Sequence, residues 1–324
     1  MTRKYIGHPT LLDHQIPDHK SLHDLDDIYA LLNWKRIESI LAPLYQSKDG
    51  PSSYPAIIMF RALLLQSWHN LSNVMLSKML GRDLLFKRFA GFSIVDDVPD
   101  HSTFSRFKNL LIKHNLYDVL LQEVNAQLSE KGAIVKTGEI SIIDATVIEA
   151  HQVRKKPGKH TENTQDPEAG WSVKKGTKGK TEYTYGFKAH TNVDEDGFVK
   201  KVHITAGNVH DSTQLENLLT GTEKQLYADS AYASKATNDL CKDRKIENKV
   251  NKRAYRNKPL SDDAQHINQT LSSIRCVVER TFGAFKRHYG AAKTGLMGRV
   301  KNECWITLIS IAHNIKKAQN ILAA

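Results

Sequence analysis

Three acidic residues occupy positions where a carboxylate costs free energy of folding unless it has a function. Asp144 interrupts the apolar run 142–148, so its side chain projects from a predicted core strand, and burial of an unpaired carboxylate is expensive. Asp229 follows the strand-like run 226–228, at the strand end where open α/β sheets place their ligands. Glu279 lies on a predicted helix. Carboxylate oxygens suit hard divalent cations, and a pair of such ions catalyses phosphodiester chemistry.

Two cations accompany Glu279 on its predicted helix. Arg275 lies four residues before it and Lys286 seven residues after it, so the three side chains share one face. An acid between two cations is a candidate for binding a metal ion and a phosphate. A purely structural role is the alternative for each acid, because a strand aspartate is often a cap or a salt-bridge partner. An exposed Arg275–Glu279 pair would contribute only about 0.3 to 0.5 kcal/mol.

Weaker candidates lie on neighbouring elements. Lys188 and His190 alternate along a predicted strand and are candidates to face the acids, although a strand histidine is more often a half-buried structural residue. His210 and Asp211 precede a predicted helix, and an aspartate at that position is equally a good N-cap. Each of these residues therefore carries both a functional and a structural prediction.

Residues up to about 133 predict an all-helical domain. Apolar residues recur at helical spacing, Pro55 opens one helix, and Ser72 caps another that Gly81 ends. The predicted helices cover residues 27–45, 57–65, 74–80, 83–89, 102–114 and 116–129.

The pattern then changes to β-branched runs typical of strands. The predicted order is strands at 140–148, 183–193 and 198–205, a helix to 219 capped by Asp211 or Ser212, a strand at 225–228, a helix at 233–241, a weak strand at 246–250, and helices at 269–289 and 303–321. Residues 194–197 form a turn between the second and third strands, which makes a hairpin. The order predicts a mixed α/β layer fold, with domain boundaries at 1–135 and 136–324.

The positive charge is concentrated in the second part of the chain. Of 46 basic and 35 acidic residues, residues 1–140 hold 16 and 15 and residues 141–324 hold 30 and 20. The net charges are therefore +1 and +10. Much of the excess lies in two predicted loops, 151–180 and 242–258, where Lys252, Arg253, Tyr255 and Arg256 stand close together. A basic domain of this kind predicts nucleic acid as a partner, with phosphate contacts from the cations and base stacking by Tyr255.

The composition also argues against several protein classes. With 40% hydrophobic and 25% charged residues among 324, the chain is neither disordered nor long enough in any apolar run to cross a membrane. The N-terminus lacks the apolar core of a secretory signal, so we expect a cytoplasmic protein. Cys241, Cys276 and Cys304 are odd in number and far apart, so we expect reduced, buried side chains.

The successive motifs resemble those of the DDE transposases of bacterial insertion sequences, specifically the insertion-sequence-five family. The motifs are Ile142-Ile-Asp144-Ala-Thr, Tyr185-Gly-Phe-Lys-Ala-His190, Asn208-Val-His-Asp211, Ala228-Asp229-Ser-Ala-Tyr232, and Arg275-x-x-x-Glu279 with Lys286. Pro99-Asp-His-Ser-Thr-Phe104 resembles the helical domain that accompanies them. The order of these motifs and the spacings of 85 (229−144) and 50 (279−229) residues between the three acids strengthen the resemblance. It covers nearly the whole chain.

The resemblance implies a ribonuclease H-like catalytic domain after a helical domain that binds DNA ends. It implies that Asp144, Asp229 and Glu279 bind two Mg²⁺ or Mn²⁺ ions and that Arg275 and Lys286 hold DNA phosphates. Lys188 becomes a further candidate for DNA contact, while His190, His210, Asp211 and Tyr232 become candidates for supporting roles. Ser272 stands where the broader superfamily often has tyrosine.

The implied activity is transposition. The protein would bind the terminal inverted repeats of its element, cleave at the 3′ ends with water, and join the freed 3′-OH to target DNA, as a homodimer on DNA and near the nucleoid. Two alternatives remain at this stage, a nuclease of the same fold that stops after hydrolysis and a non-catalytic DNA-binding descendant.

Overall fold

A computed structural model describes residues 4–45, 52–134, 139–151, 166–175, 181–254 and 260–323. The chain divides into two compact units. The helical unit is Met1–Val135 together with Leu308–Ala324, and the sheet unit is Lys136–Thr307. Among the described residues, none of the helices combines the length and apolar character that crossing a bilayer requires.

The described N-terminal residues form seven α-helices and no paired strand longer than an isolated bridge. They are α1 (Asp26–Leu31), α2 (Trp34–Leu41), α3 (Ala56–Trp68), α4 (Asn73–Arg82), α5 (Leu84–Ala90), α6 (His101–Lys113) and α7 (Leu116–Glu130). Their core contains α3, whose residues between Ala56 and Ser67 are almost all buried. Pro55 is the N-cap of α3 and Ser72 is the N-cap of α4, where its hydroxyl accepts the Met75 N–H.

Two helix boundaries in this unit differ from the predicted ones. The single helix predicted over 27–45 is broken after α1, because Leu32 is extended and the Asn33 side chain accepts the N–H groups of Lys35 and Arg36 to start α2. Gly81 does not end α4, which continues to Arg82. The side chain of Asp83 then caps α5, so a capping residue, and not the glycine, separates the two helices.

The sheet unit contains a seven-stranded mixed sheet. Its strands are β1 (Ile140–Ala150), β2 (Gly170–Lys175), β3 (Thr181–Val193), β4 (Val199–Ala206), β5 (Gln225–Ala228), β6 (Glu247–Asn248) and β7 (Lys293–Thr294). Its helices are α8 (Leu215–Leu218), α9 (Lys235–Asp243) and α10 (Asp262–His288), together with the part of α11 (Arg299–Leu322) up to Thr307. The strands β4, β3 and β1 are antiparallel neighbours, whereas β5 and β6 continue the sheet parallel to β1. The predicted order, a helical region followed by a mixed α/β sheet with flanking helices, is confirmed.

The register of β1 and β5 decides where the acids lie. Ile143 is the partner of Ala228 in the parallel ladder, so the next residue on each strand is an aspartate, Asp144 or Asp229. Both partners are fully buried and belong to one apolar cluster. The hydrophobic pairing of the two strands therefore brings the two carboxylates to neighbouring positions at the end of β5.

Four predictions for this unit are wrong in detail. The segment 151–180, predicted as a loop, contains β2, which pairs antiparallel with residues 181–186 of β3. No helix is capped by Asp211 or Ser212, because a 3-10 turn capped by His210 precedes α8. The helix α10 begins at Asp262, seven residues before its predicted start, because Ser261 caps it.

The fourth difference concerns the last helix. α11 was assigned wholly to the second domain, but its residues from Leu308 onward belong to the helical unit. There the indole N–H of Trp68 donates to the Ala312 carbonyl at 2.9 Å. The cysteines are also only partly as expected, because Cys241 is buried but Cys276 and Cys304 are half-buried.

Candidate active site

Asp144 and Asp229 form an acid pair on adjacent strands. The Asp144 Oδ1 atom accepts the Ala145 N–H at 2.8 Å, and the Asp229 Oδ1 atom accepts the Ala231 N–H at 2.8 Å. Each carboxylate is thus fixed from one side by the backbone that follows it. The Asp229 bond also starts the short 3-10 turn that leaves β5. The structure therefore brings together the first two acids that the sequence singled out.

The electrostatic setting of Asp144 is unfavourable for a free carboxylate. Burial raises the pKa of Asp144 to about 6, the negative charges of Asp229 and Glu279 add to this effect, and the Ala145 N–H and Arg275 oppose it. Two like charges beside a buried acid disfavour its ionised form. The third acid, Glu279, is therefore close enough to act on Asp144 although it comes from α10. A cation placed among these three groups would remove the repulsion.

Arg275 reaches the acid pair from the same helix. Its Nη2 atom lies 3.4 Å from Asp144 Oδ2, and the two side chains are only 11% and 19% exposed. The Arg275 Nε atom is buried and has no hydrogen-bond partner among the described residues. Glu279, one turn further along α10, is exposed. In this arrangement Arg275 supplies part of the positive charge that the acids require.

The donor set fits divalent metal ions in its chemistry. Three carboxylates with excess negative charge are the hard oxygen ligands that Mg²⁺ and Mn²⁺ use. The buried and unpartnered polar atoms beside them, Arg275 Nε and Tyr232 Oη, mark a polar site that is incomplete. No group of three His, Cys, Asp or Glu side chains in the described part of the chain already has the arrangement of a metal site. The residues Asp144, Asp229 and Glu279 would hold the ions.

Asp211 and Lys188 form an ion pair beside the acids. The Lys188 Nζ atom donates to Asp211 Oδ1 at 2.9 Å and to the Val209 carbonyl at 2.8 Å, and its side chain is 17% exposed. The structure thus places Lys188 inside a hydrogen-bonded network, whereas the sequence suggested a DNA contact. Asp211 is not the N-cap considered as its alternative role; that role falls to the His210 ring, which accepts the Ser212 N–H.

His190 is a buried histidine on β3. Its Nε2 atom is 2.8 Å from the Thr205 hydroxyl, and burial lowers the pKa of His190 to about 4, with Asp211 opposing. The ring is therefore neutral at neutral pH. Its Nδ1 atom has no partner in the part of the chain that the structure describes. These contacts agree with the half-buried structural alternative more closely than with an exposed catalytic base.

Asn251, which the sequence did not single out, lies next to the acid pair. The N–H of Asn251 donates to the Ala228 carbonyl at 3.1 Å, next to Asp229, and its side-chain amide donates to the Ser272 hydroxyl at 3.1 Å. Asn251 is buried and sits in a segment that its basic composition marked only as a loop. No local pattern signals it, because its position depends on the pairing of β5 with β6. Through Asn251, Ser272 therefore connects α10 to the end of β5, which Asp229 follows.

The predicted DNA-contact residues are spread over this unit. Lys252 and Arg253 are exposed, and the Lys252 backbone is tied to α10 through two hydrogen bonds with Asn268. Lys286 is also exposed, on the last turns of α10, where desolvation and the nearby Lys174 lower the pKa of its amine. Tyr255 and Arg256 lie outside the described residues, as does most of the segment 151–180.

Comparisons with known proteins identify transposase families along this chain. Residues 136–315 match the family described as "Transposase DDE domain", and residues 10–110 match one described as "Transposase domain (DUF772)". Two solved structures were also matched over 94% of this chain. A pre-cleavage Mos1 transpososome is 10% identical over 98% of its chain, with a TM-score of 0.21, and a Mos1 strand transfer complex is 11% identical over 97%, with a TM-score of 0.20.

The family assignment rests on the first of these matches. It spans more than half of the chain, and it includes Asp144, Asp229 and Glu279 together with every strand of the sheet. Scores near 0.2 for the solved structures add no weight to it. The chain belongs to the family of transposases with a DDE domain.

Proposed function

We propose that this DNA transposase mobilises a bacterial insertion sequence of the insertion-sequence-five group, acting in the cytoplasm at the nucleoid. It binds the terminal inverted repeats of its element and performs strand cleavage and strand transfer at one site. The observation that carries the proposal is the acid pair Asp144–Asp229, with Glu279 close enough to disfavour the ionised form of Asp144. The motifs of the insertion-sequence-five group support the finer assignment.

Asp144, Asp229 and Glu279 are the proposed ligands for two Mg²⁺ or Mn²⁺ ions. When bound, such ions activate the attacking oxygen and stabilise the leaving oxygen of a phosphodiester. The contribution of this chain is to hold the carboxylates on separate rigid elements. Asp144 and Asp229 come from neighbouring strands and Glu279 from α10, so their spacing depends on the packed sheet and not on a flexible loop.

The cations of this unit are the proposed contacts for DNA phosphates. Arg275 is paired with Asp144, and we propose that it turns to a phosphate when an ion takes over its neutralising role. Lys286, Lys252 and Arg253 are exposed and supply salt-dependent attraction. Recognition of the element ends is assigned to the helical residues 1–135, whose net charge is small, and joining two ends favours a homodimer on DNA.

An oligonucleotide assay tests the proposal. The purified full chain is incubated with a labelled duplex carrying its element end, target DNA and Mg²⁺, and both nicked and joined products are measured. We expect both products, and their loss in Asp144→Asn. Asp239→Asn is the matched control, because it removes the same charge from an exposed position on α9. Nicking without joining would indicate a nuclease, and full activity of Asp144→Asn would overturn the catalytic assignment.

A further inference from the structure

Tyr232 has a buried hydroxyl group that makes no hydrogen bond with the described residues. Its side chain is among the largest that are fully buried, with 0% exposure. The hydroxyl oxygen has no hydrogen-bond partner among the residues that the structure describes. A buried phenol normally finds a partner, and an unpartnered one destabilises the protein relative to phenylalanine. An exception of this kind calls for a functional explanation.

The ring of Tyr232 packs against the buried ends of the strands that lead to the two acids. It belongs to the apolar cluster that contains Ile143 and Ala228, the residues immediately before Asp144 and Asp229. The Tyr232 N–H also donates to the Asp229 carbonyl at 3.1 Å. The ring and the backbone are therefore fixed relative to both acids.

The backbone beyond Tyr232 is fixed as well. The Thr237 hydroxyl donates to the Tyr232 carbonyl at 2.7 Å, and Thr237 itself is buried in the first turn of α9. The turn that carries the tyrosine is thus bonded to β5 on one side and to α9 on the other. The direction of the side chain is set by the fold and does not depend on a mobile loop.

Three carboxylates lie close enough to the Tyr232 hydroxyl to act on it electrostatically. Burial raises the pKa of Tyr232 well above its usual value, and the charges of Asp211, Asp144 and Asp229 add to the effect. The phenol is therefore a neutral donor, and none of the described residues makes a hydrogen bond with it. Asp211 already accepts a bond from Lys188 at 2.9 Å. Asp144 and Asp229 each have only their Oδ1 atom held by a backbone N–H.

We propose that Tyr232 is a positioning residue of the acid pair, and that its hydroxyl donates to a carboxylate of Asp144 or Asp229 when divalent ions are bound. The inference rests on the proposed metal site. Carboxylates that bind a metal are themselves commonly hydrogen-bonded, and loss of such a partner typically weakens metal binding 10- to 100-fold. Arg275 contacts Asp144 only at 3.4 Å, and the Tyr232 hydroxyl is a buried donor with no partner among the described residues.

The test is Tyr232→Phe in the full chain, which keeps the ring and removes the hydroxyl. Mn²⁺ binding without DNA is measured by calorimetry, and stability is measured as the urea midpoint. We expect the dissociation constant to rise about ten-fold or more, while the midpoint stays the same or increases. Tyr185→Phe is the matched control, because the buried Tyr185 hydroxyl donates to the Asp166 carbonyl. That variant should lower the midpoint and leave Mn²⁺ affinity unchanged.

The Asp229→Asn variant distinguishes a failure of the proposed metal site from a failure of the proposed role of Tyr232. If this variant binds Mn²⁺ as well as the unmodified chain does, the proposed metal site itself is wrong. If Asp229→Asn binds weakly but Tyr232→Phe matches the unmodified chain, only the role of Tyr232 is refuted. A Tyr232→Phe protein that binds Mn²⁺ normally and has a lower midpoint would assign the hydroxyl a structural role and would also overturn the inference.

Discussion

Replacing Glu223 with glutamine tests how β1 and β5 are held side by side. The Glu223 side chain is fully buried, and its Oε1 atom accepts the N–H and hydroxyl of Thr220, both at 2.7 Å, and the Ser141 hydroxyl at 3.3 Å. Its Oε2 atom accepts the Gly221 N–H at 2.7 Å, and Lys200 Nζ lies 3.6 Å from Oε1. This network joins the start of β1 to the segment that leads into β5.

The size of the effect follows from the shift in the pKa of Glu223. Burial alone would raise the pKa of Glu223, but the Thr220 donors and Lys200 outweigh it and lower the pKa from 4.5 to about 2. That displacement corresponds to about 3 kcal/mol of stability at neutral pH. Because the folded-state pKa is depressed, the contribution is present above about pH 4.5 and is lost as the pH falls towards 2. Glutamine keeps one acceptor oxygen, so we expect Glu223→Gln to lose about 2 kcal/mol at pH 7.

Urea unfolding of the full chain at pH 7, 5.5, 4.5 and 3.5 provides the assay. The stability difference between the unmodified chain and Glu223→Gln should be constant down to about pH 5 and then shrink. Glu216→Gln is the control, because Glu216 is exposed and pairs with Arg244 at the surface, where ion pairs contribute little. A difference below about 0.5 kcal/mol at pH 7, or one that does not shrink in acid, would refute the reasoning.

Three further predictions concern other parts of the chain. Neutralising Lys252 and Arg253 to glutamine should reduce the slope of log affinity for duplex DNA against log salt by about two; an anisotropy titration that gives the original slope would exclude them as phosphate contacts. Burial raises the pKa of Asp194 to about 6, above 3.8, so its ionised form costs stability as pH rises through that interval. Asp194→Asn should therefore gain up to about 3 kcal/mol over the unmodified chain at pH 8 and little at pH 4, and a gain independent of pH would contradict this. Ser72→Ala should cost about 1 kcal/mol in urea unfolding by removing the cap of α4, and Ser72→Thr should retain most of it.

The sequence predicted the order of the main elements because hydrophobic periodicity is strong in long segments. The strands β1, β3, β4 and β5 were all expected close to their observed positions, and the helix α10 was expected with only its start misplaced. The strand β2 was missed because its apolar alternation is limited to Trp171 and Val173 within a basic segment, and it forms a strand by pairing with β3. The break between α1 and α2 was missed because the Asn33 cap competes with a continuous apolar pattern.

The residue types of the candidate site were also present in the sequence, since acids inside apolar runs are rarely accidental. The local sequence does not show that Lys188 is held by Asp211, that His190 is buried and neutral, or that the His210 ring caps a turn. Each of these depends on what other strands bring to the side chain. Charge and exposure are therefore properties of the packed sheet and not of the motif.

The sequence by itself determined which residues are candidates for the chemistry, in what order they occur, and which half of the chain carries the positive charge. The tertiary structure decided which of them meet. The pairing of Ile143 with Ala228 places Asp144 beside Asp229, and α10 brings Arg275 to the same point. It also decided that the buried Tyr232 hydroxyl has no hydrogen-bond partner within the part of the chain that the structure describes. The physical reason is that burial and neighbouring charge set protonation and hydrogen bonding, and both arise only when distant segments pack together.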